Sequence, residues 1–259
     1  MNNLKIKILR YILFTVSVSF LSFLVFYGKL VNQGIPPRDQ QNITASISEH
    51  RQISNKKSII RSRDSSVRIL SVDLNQGMVA TSSATYLKYN DMHFVLTTSH
   101  GLMGGCETIQ IEVNGELYDC LEELAIDPVR DYAILSIEEI KERKPIKFSN
   151  NLANNKNDWK KSLTILNHVV YTGYPNSIGP LTVQGNIMGF DPAGLIYVQS
   201  YAWSGSSGSG IFDQSGNLIG YILAIDVGQN EYGTAILENV MLVVPIYYVD
   251  WSVVTKRKQ

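Results

Sequence analysis

The sequence predicts an all-β domain, a sandwich or a barrel, set behind an apolar N-terminal segment and a polar stretch. Three observations predict it. Short β-type runs recur from residue 66 onward, separated by Gly, Asn, Asp and Pro. Helical periodicity is scarce over the same region. A long uncharged run stands alone near the N-terminus.

That run extends from Tyr11 to Gly28, with Lys5, Lys7 and Arg10 before it and Lys29 after it. As a helix it would span roughly 27 Å, close to the ~30 Å hydrocarbon core of a bilayer. A cleaved signal peptide would have a shorter apolar region followed by a small-x-small site. Here Phe26-Tyr27-Gly28-Lys29-Leu30 offers no such site. A buried globular helix would not be apolar all round at an extreme terminus. Residues 1–28 are therefore expected to be a cytoplasmic stub and an uncleaved transmembrane signal anchor. The excess of basic residues before the run puts the N-terminus in the cytoplasm and the remainder in the periplasm or outside the cell.

Residues 29–64 are polar and pattern-free and read as a flexible stalk, stiffened at Pro36-Pro37. Asn42-Ile43-Thr44 is a formal sequon, relevant only in a eukaryotic secretory pathway. The expected strands then follow in order. They cover 67–72, 77–89, 93–99, 108–113, 132–137, 168–174, 181–190, 194–200, 210–214, 217–225 and 240–246. About a dozen short strands with close-set turns indicate a sandwich or barrel. Two short helices are expected, at Ile137–Lys144 and Tyr247–Lys256. The Asn-rich stretch from Ser149 to Lys161 reads as a connection between two halves.

Composition narrows the function. The chain has 259 residues and a formal net charge of zero, which does not point to a nucleic-acid partner, since that would call for a basic face. Its two cysteines, Cys106 and Cys120, form no CxxC pair, so a cysteine zinc site is not expected and no metal or cofactor is called for. They flank one predicted hairpin, so a disulfide is plausible outside the cytoplasm; two buried free thiols are the alternative.

Three segments carry chemistry. The first, Val95-Leu96-Thr97-Thr98-Ser99-His100, is a β-run ending in hydroxyl residues and a histidine. In the second, Asp127-Pro128-Val129-Arg130-Asp131-Tyr132-Ala133-Ile134-Leu135, an acid abuts an apolar strand. The third runs Gly205-Ser206-Ser207-Gly208-Ser209-Gly210-Ile211-Phe212, then Asp213-Gln214-Ser215-Gly216-Asn217-Leu218-Ile219-Gly220. Alone, each is ordinary: a structural His, a turn Asp, a Gly/Ser loop. Together they meet one chemical need. A serine hydroxyl requires a base to take its proton, and the base requires a third group to fix its tautomer. Glycines around the serine allow a sharp turn that aims two N–H groups at one point. His50 falls in the stalk, His93 starts a strand, and His168 has no coupled acid or serine motif. Asp127 rivals Asp131, which is preferred because it directly precedes the strand.

These segments resemble, in order, the V-L-T-x-x-H, D-x-A-(L/I/V)-L and G-x-S-G-G-P-(L/I)-(V/F) motifs of chymotrypsin-like serine proteases. Asp-Pro-x-x-Asp-x-Ala-Ile-Leu looks closest to the HtrA-type bacterial branch. Val170-Tyr171-Thr172-Gly173-Tyr174-Pro175 resembles that branch's second-barrel turn, and Leu242-Val243-Val244-Pro245-Ile246 its last core strand. The resemblance covers about residues 66 to 254. It implies two six-stranded antiparallel β-barrels (about 65–148 and 162–246) within a protease domain of 65–259, ending in a short helix. It implies His100 as general base and acid, Asp131 as its orienting acid, and Ser207 as nucleophile. The N–H groups of Gly205 and Ser207 would form the oxyanion hole. Tyr201, Ala202 and Trp203, with Ile222, Leu223 and Ala224, would line the primary specificity pocket and pair with the substrate backbone. No acid stands among those six, so an apolar pocket is expected.

The expected function is a membrane-anchored serine endopeptidase working through an acyl-enzyme, with protein or peptide substrates. The alternative is a protease-fold binding or sensor module with little activity. Three departures from the motif stand out. Ser206 replaces the Asp that takes part in zymogen activation in digestive enzymes, so activation by N-terminal cleavage is not expected. Gly208-Ser209-Gly210 replaces Gly-Gly-Pro, which is expected to loosen the loop. Gly101 stands where a larger apolar residue is usual. About fifty residues follow Ser207, too few for the PDZ domain of HtrA-type enzymes, so their oligomerisation and quality-control duties are not carried over.

Overall fold

The computed structural model describes residues 56–74, 76–148, 163–230 and 233–256. The expected anchor, most of the stalk with His50, and the Asn-rich connection lie outside the described residues. Among the described residues no helix is long and apolar enough to cross a membrane.

Six strands form the first barrel: β1 (Ser66–Asp73), β2 (Met78–Tyr89), β3 (Met92–Thr97), β4 (Ile109–Val113), β5 (Glu116–Asp127) and β6 (Tyr132–Ile137). Their order is β1-β4-β5-β6-β3-β2, and pairing of β1 with β2 closes the ring. A two-residue β7 (Ile146–Lys147) adds in parallel to the outer side of β2. The second barrel comprises β8 (His168–Gly173), β9 (Leu181–Phe190), β10 (Ile196–Gln199), β11 (Gly210–Asp213), β12 (Leu218–Asn230) and β13 (Gly233–Pro245). It closes in the order β10-β13-β12-β11-β8-β9. Closure removes the exposed edges that open sheets must protect. The chain then makes a 3-10 turn and a short helix α2 (Ser252–Thr255).

Strands β3 and β6 decide where the site sits. Their sequences, Phe94-Val95-Leu96 and Tyr132-Ala133-Ile134-Leu135, are continuously apolar because both faces are buried. Successive side chains point to opposite faces. Val95, Ala133 and Leu135 fill the first barrel, with Val67, Ile69, Tyr86 and Ile111. Phe94, Leu96, Tyr132 and Ile134 pack outward into the second core. There Phe94 and Phe148 meet Trp251, with ring centroids 6.4 and 4.5 Å from it. Such aromatic pairs contribute ~0.5–1.5 kcal/mol beyond the area they bury. The two strands run antiparallel with Thr97 opposite Ala133. The end of β3 and the start of β6 therefore emerge side by side.

Besides the two-residue β7, three elements differ from expectation. No helix forms over 138–144: the Glu138 N–H goes to Asp119 O, that of Ile140 to the Tyr86 hydroxyl, and that of Lys144 to Asp64 O. Residues 56–64, read as stalk, are helical together with residue 65 (α1). Ser58, Ser62 and Ser65 are buried on one face of α1. It docks through Ser62 Oγ donating to Thr172 Oγ1 (2.7 Å) and Arg61 Nη1 donating to Gly216 O (2.8 Å). β5 was not foreseen, and it joins β4 to β6.

Candidate active site

His100 lies in a 3-10 turn, Ser99–Gly101, immediately beyond β3. Asp131 ends the turn into β6 with φ 53°, a left-handed conformation that Asp tolerates better than most residues. Two contacts fix that turn. The Asp127 carboxylate accepts the N–H groups of Val129 and Arg130, both at 2.9 Å, so Asp127 is a turn residue. From the second barrel, the buried Tyr221 hydroxyl donates to Arg130 O at 2.9 Å.

The emerging strand ends bring Asp131 against His100. Asp131 Oδ2 lies 2.5 Å from His100 Nδ1. Asp131 Oδ1 accepts the Ser99 hydroxyl at 2.6 Å and the His100 N–H at 2.8 Å. Burial alone would raise the Asp131 pKa. The bonds from the His100 ring, the Ser99 hydroxyl and the His100 N–H outweigh it and hold the carboxyl below its usual range. An ionised carboxylate only accepts, so the ring proton sits on Nδ1 and leaves Nε2 as the basic nitrogen. The same hydrogen bond raises the His100 pKa, against the opposing effect of burial.

Ser207 sits in the turn between β10 and β11. Gly205 and Gly208 have φ of 90° and 85°. A Cβ on Gly208 would fall 2.1 Å from Ser83 O and 3.1 Å from Thr97 Cα, so the turn lies against the end of β3. No hydrogen bond joins the Ser207 hydroxyl to the His100 ring in this structure; that contact commonly tightens only when substrate binds. Among the described residues, neither the Gly205 N–H nor the Ser207 N–H donates within the chain. Their orientation follows from their neighbours. Ser204 O accepts the Asn176 N–H at 2.6 Å, and Ser206 O accepts the Ser209 N–H at 3.1 Å. A trans peptide points its N–H away from its C=O, so each of these N–H groups points away from the partner of its own carbonyl.

The departures acquire reasons. Ser206 is buried and its hydroxyl accepts the Trp203 N–H at 3.2 Å, closing the turn from inside. The Gly208-Ser209-Gly210 loop is not loosened: Ser209 is fully buried, and a Cβ on Gly210 would meet Thr85 Oγ1 at 2.5 Å. Gly101 is needed because Ser82 already occupies the space, 2.9 Å from any Cβ.

The residues expected around a specificity pocket divide. Tyr201 and Trp203 are exposed, with near-parallel rings 5.9 Å apart. Ala202 and Ile222 are buried, and the Ile222 main chain is committed to Ser209 O and the Gly208 N–H. Leu223 is the extra residue of a bulge against β13. With Val129, Arg130, Asp131, Leu195 and Tyr248 it lines a cavity of about 430 Å³. β11 pairs with β12 only as far as Tyr221, so among the described residues nothing pairs with Leu223 and Ala224 on that strand edge. Cys106 and Cys120 form a disulfide, Cα atoms 5.2 Å apart, tying the segment after His100 to β5. The rival histidines are engaged elsewhere: His93 Nδ1 pairs with the Tyr86 hydroxyl, and His168 Nε2 with Gln184 Oε1. Sequence reasoning missed Ser99, Ser83 and Asn176. Only Ser99 carried a signal, as the hydroxyl next to the histidine.

A family model described as the trypsin-like peptidase domain matches residues 80–220. No curated protein matches the chain by sequence. Among solved structures, a serine endoprotease from Yersinia pestis is similar at 19% identity and a TM-score of 0.57, covering 74% of this chain and 62% of its own. The HtrA-type protease AlgW with a tripeptide is similar at 16% and 0.59, covering 78% and 64%. A protease of M. tuberculosis in its active form is similar at 17% and 0.56, covering 75% and 82%. The chain thus spans less than two thirds of the first two, and at these identities the likeness is one of fold.

Proposed function

The chain belongs to the trypsin-like peptidase family, and from that premise we propose that it is a serine endopeptidase with His100, Asp131 and Ser207 as its catalytic triad. Ser207 Oγ attacks the scissile carbonyl as His100 Nε2 takes its proton, giving a tetrahedral intermediate. Its oxyanion rests on the N–H groups of Gly205 and Ser207. The imidazolium then protonates the leaving amine, and the acyl-enzyme is hydrolysed by a water that His100 activates in turn. Asp131 holds the tautomer and stabilises the cation. The observation that carries this reading is the Asp131–His100 pair beside a turn in which the Gly205 and Ser207 N–H groups donate to nothing among the described residues. Substrate is taken as an added strand along Leu223–Ala224, with an apolar side chain beside Tyr201 and Trp203.

The enzyme acts in the periplasm or outside the cell, held to the membrane by residues 11–28. The membrane reading is supported by the apolar run and its basic flank; the disulfide favours an oxidising compartment. A mixed library of unstructured peptides tests the activity. Wild-type protein should cleave it, and Ser207→Ala should lower kcat by about 10⁶-fold. Cleavage by the variant at the wild-type rate would remove Ser207 from the mechanism.

A further inference from the structure

Ser83 lies on β2 of the first barrel, fully buried and outside the proposed triad. It makes three hydrogen bonds to the second barrel. Its hydroxyl donates to Gly205 O at 2.7 Å and accepts the Tyr174 N–H at 2.9 Å. Its N–H donates to Ser207 O at 3.0 Å. One residue of the first barrel thus holds the carbonyls of both residues whose N–H groups face the oxyanion.

The turn needs such restraint. Gly205 and Gly208, both at positive φ, let the peptide planes between them rotate at little steric cost. An oxyanion hole is useful only when its donors are fixed before the charge develops. From Trp203 to Ser207 every carbonyl accepts a hydrogen bond: from Ser206 N–H, Asn176 N–H, Ser83 Oγ, Ser209 N–H and Ser83 N–H in turn. Four of these donors are main chain. The Ser83 hydroxyl is the one side-chain donor, and it serves the peptide that follows Gly205. Its second bond fixes the Tyr174 N–H, at the start of the segment whose Asn176 N–H holds Ser204 O. Both of its bonds therefore converge on the Gly205 peptides.

We propose that the Ser83 hydroxyl is a positioning group, supplied by the first barrel, that locks the Gly205 peptides so that the Gly205 N–H stays aimed at the oxyanion. The proposal rests on the protease reading above. It predicts a defect confined to the transition state. Ser83→Ala should lower kcat by about 10- to 100-fold, less than the ~10²–10³ of losing a donor outright. KM should stay near the wild-type value, since the ground state does not use the hole. A peptide boronic acid, tetrahedral and anionic once bound to Ser207, should lose affinity by the factor lost in kcat/KM. The acid limb of the pH profile should not move, because the His100–Asp131 pair is untouched. Ser83→Cys, similar in shape but a weak donor, should fall between the two. It carries the test if Ser83→Ala does not fold, with rates normalised to folded protein by thermal melting. Folded variants with wild-type kcat and boronate affinity would overturn the proposal and leave the protease reading intact. Equal changes in KM and boronate affinity would overturn it too, because they report general loosening. A wild-type protein without turnover would overturn the protease reading and this proposal with it.

Discussion

His100 must be neutral to accept a proton, and its surroundings set the pH at which it is. The Asp131 hydrogen bond raises its pKa above the ordinary value near 6.5. The cationic form therefore persists to higher pH, and activity should rise through a midpoint displaced upward. In Asp131→Asn the anionic partner is lost, so the midpoint should move back down and kcat should fall by ~10⁴. The pH dependence of kcat/KM in the two proteins checks both. Gly208 is constrained as sharply, by its φ of 85° and by Ser83 O at 2.1 Å from any Cβ. Gly208→Ala should destabilise the fold by at least ~1–3 kcal/mol of backbone strain, read as a lowered urea midpoint, with loss of peptide cleavage. At this scale the sequence displayed the proposed triad but not the residues that hold it. His100, Asp131 and Ser207 sit in recognisable motifs. Ser83 and Asn176 do not, because their partners come from segments about 90 or more and 28 residues away.

Among the elements, strands with clear alternation or continuous burial were legible, and β6 and β9 have the bounds their patterns indicate. β5 was hidden for a physical reason. Its sequence, ELYDCLEELAID, is acidic and mostly exposed, and two register shifts break the period of two along it. Helix α1 was hidden by chemistry of another kind, since the face it buries is serine rather than leucine. The short segment at 138–144 looked helical but gives its N–H groups to neighbouring segments. Because α1 is bonded to Thr172 and Gly216, a chain begun at residue 66 should melt below one begun at residue 53. Calorimetry of the two lengths decides it, and equal melting temperatures would make α1 an ornament. The Cys106–Cys120 bridge closes a loop for which the chain-entropy relation gives ~3 kcal/mol. Cys106→Ser/Cys120→Ser should lose about that much in denaturant unfolding, and an unchanged midpoint would count against it.

For the molecule as a whole, the two barrels explain why residues from distant segments meet. β3 and β6 deliver the His100–Asp131 pair from the first barrel, and the turn before β11 brings Ser207 from the second. The closed topology of each barrel was carried by the ordered motifs, since strand counts alone left sandwich and barrel equal. The proposed site stands at the seam between the barrels. The proposed anchor belongs to the same scale. The full chain should sediment with membranes and resist alkaline extraction, while a chain begun at residue 53 should be released. The most direct test of the central claim is site mapping of a fluorophosphonate adduct on folded, full-length protein. One adduct is expected, on Ser207, absent in Ser207→Ala and strongly slowed in His100→Ala. No adduct on the folded wild-type protein, or an adduct at another serine that persists in Ser207→Ala, would contradict it.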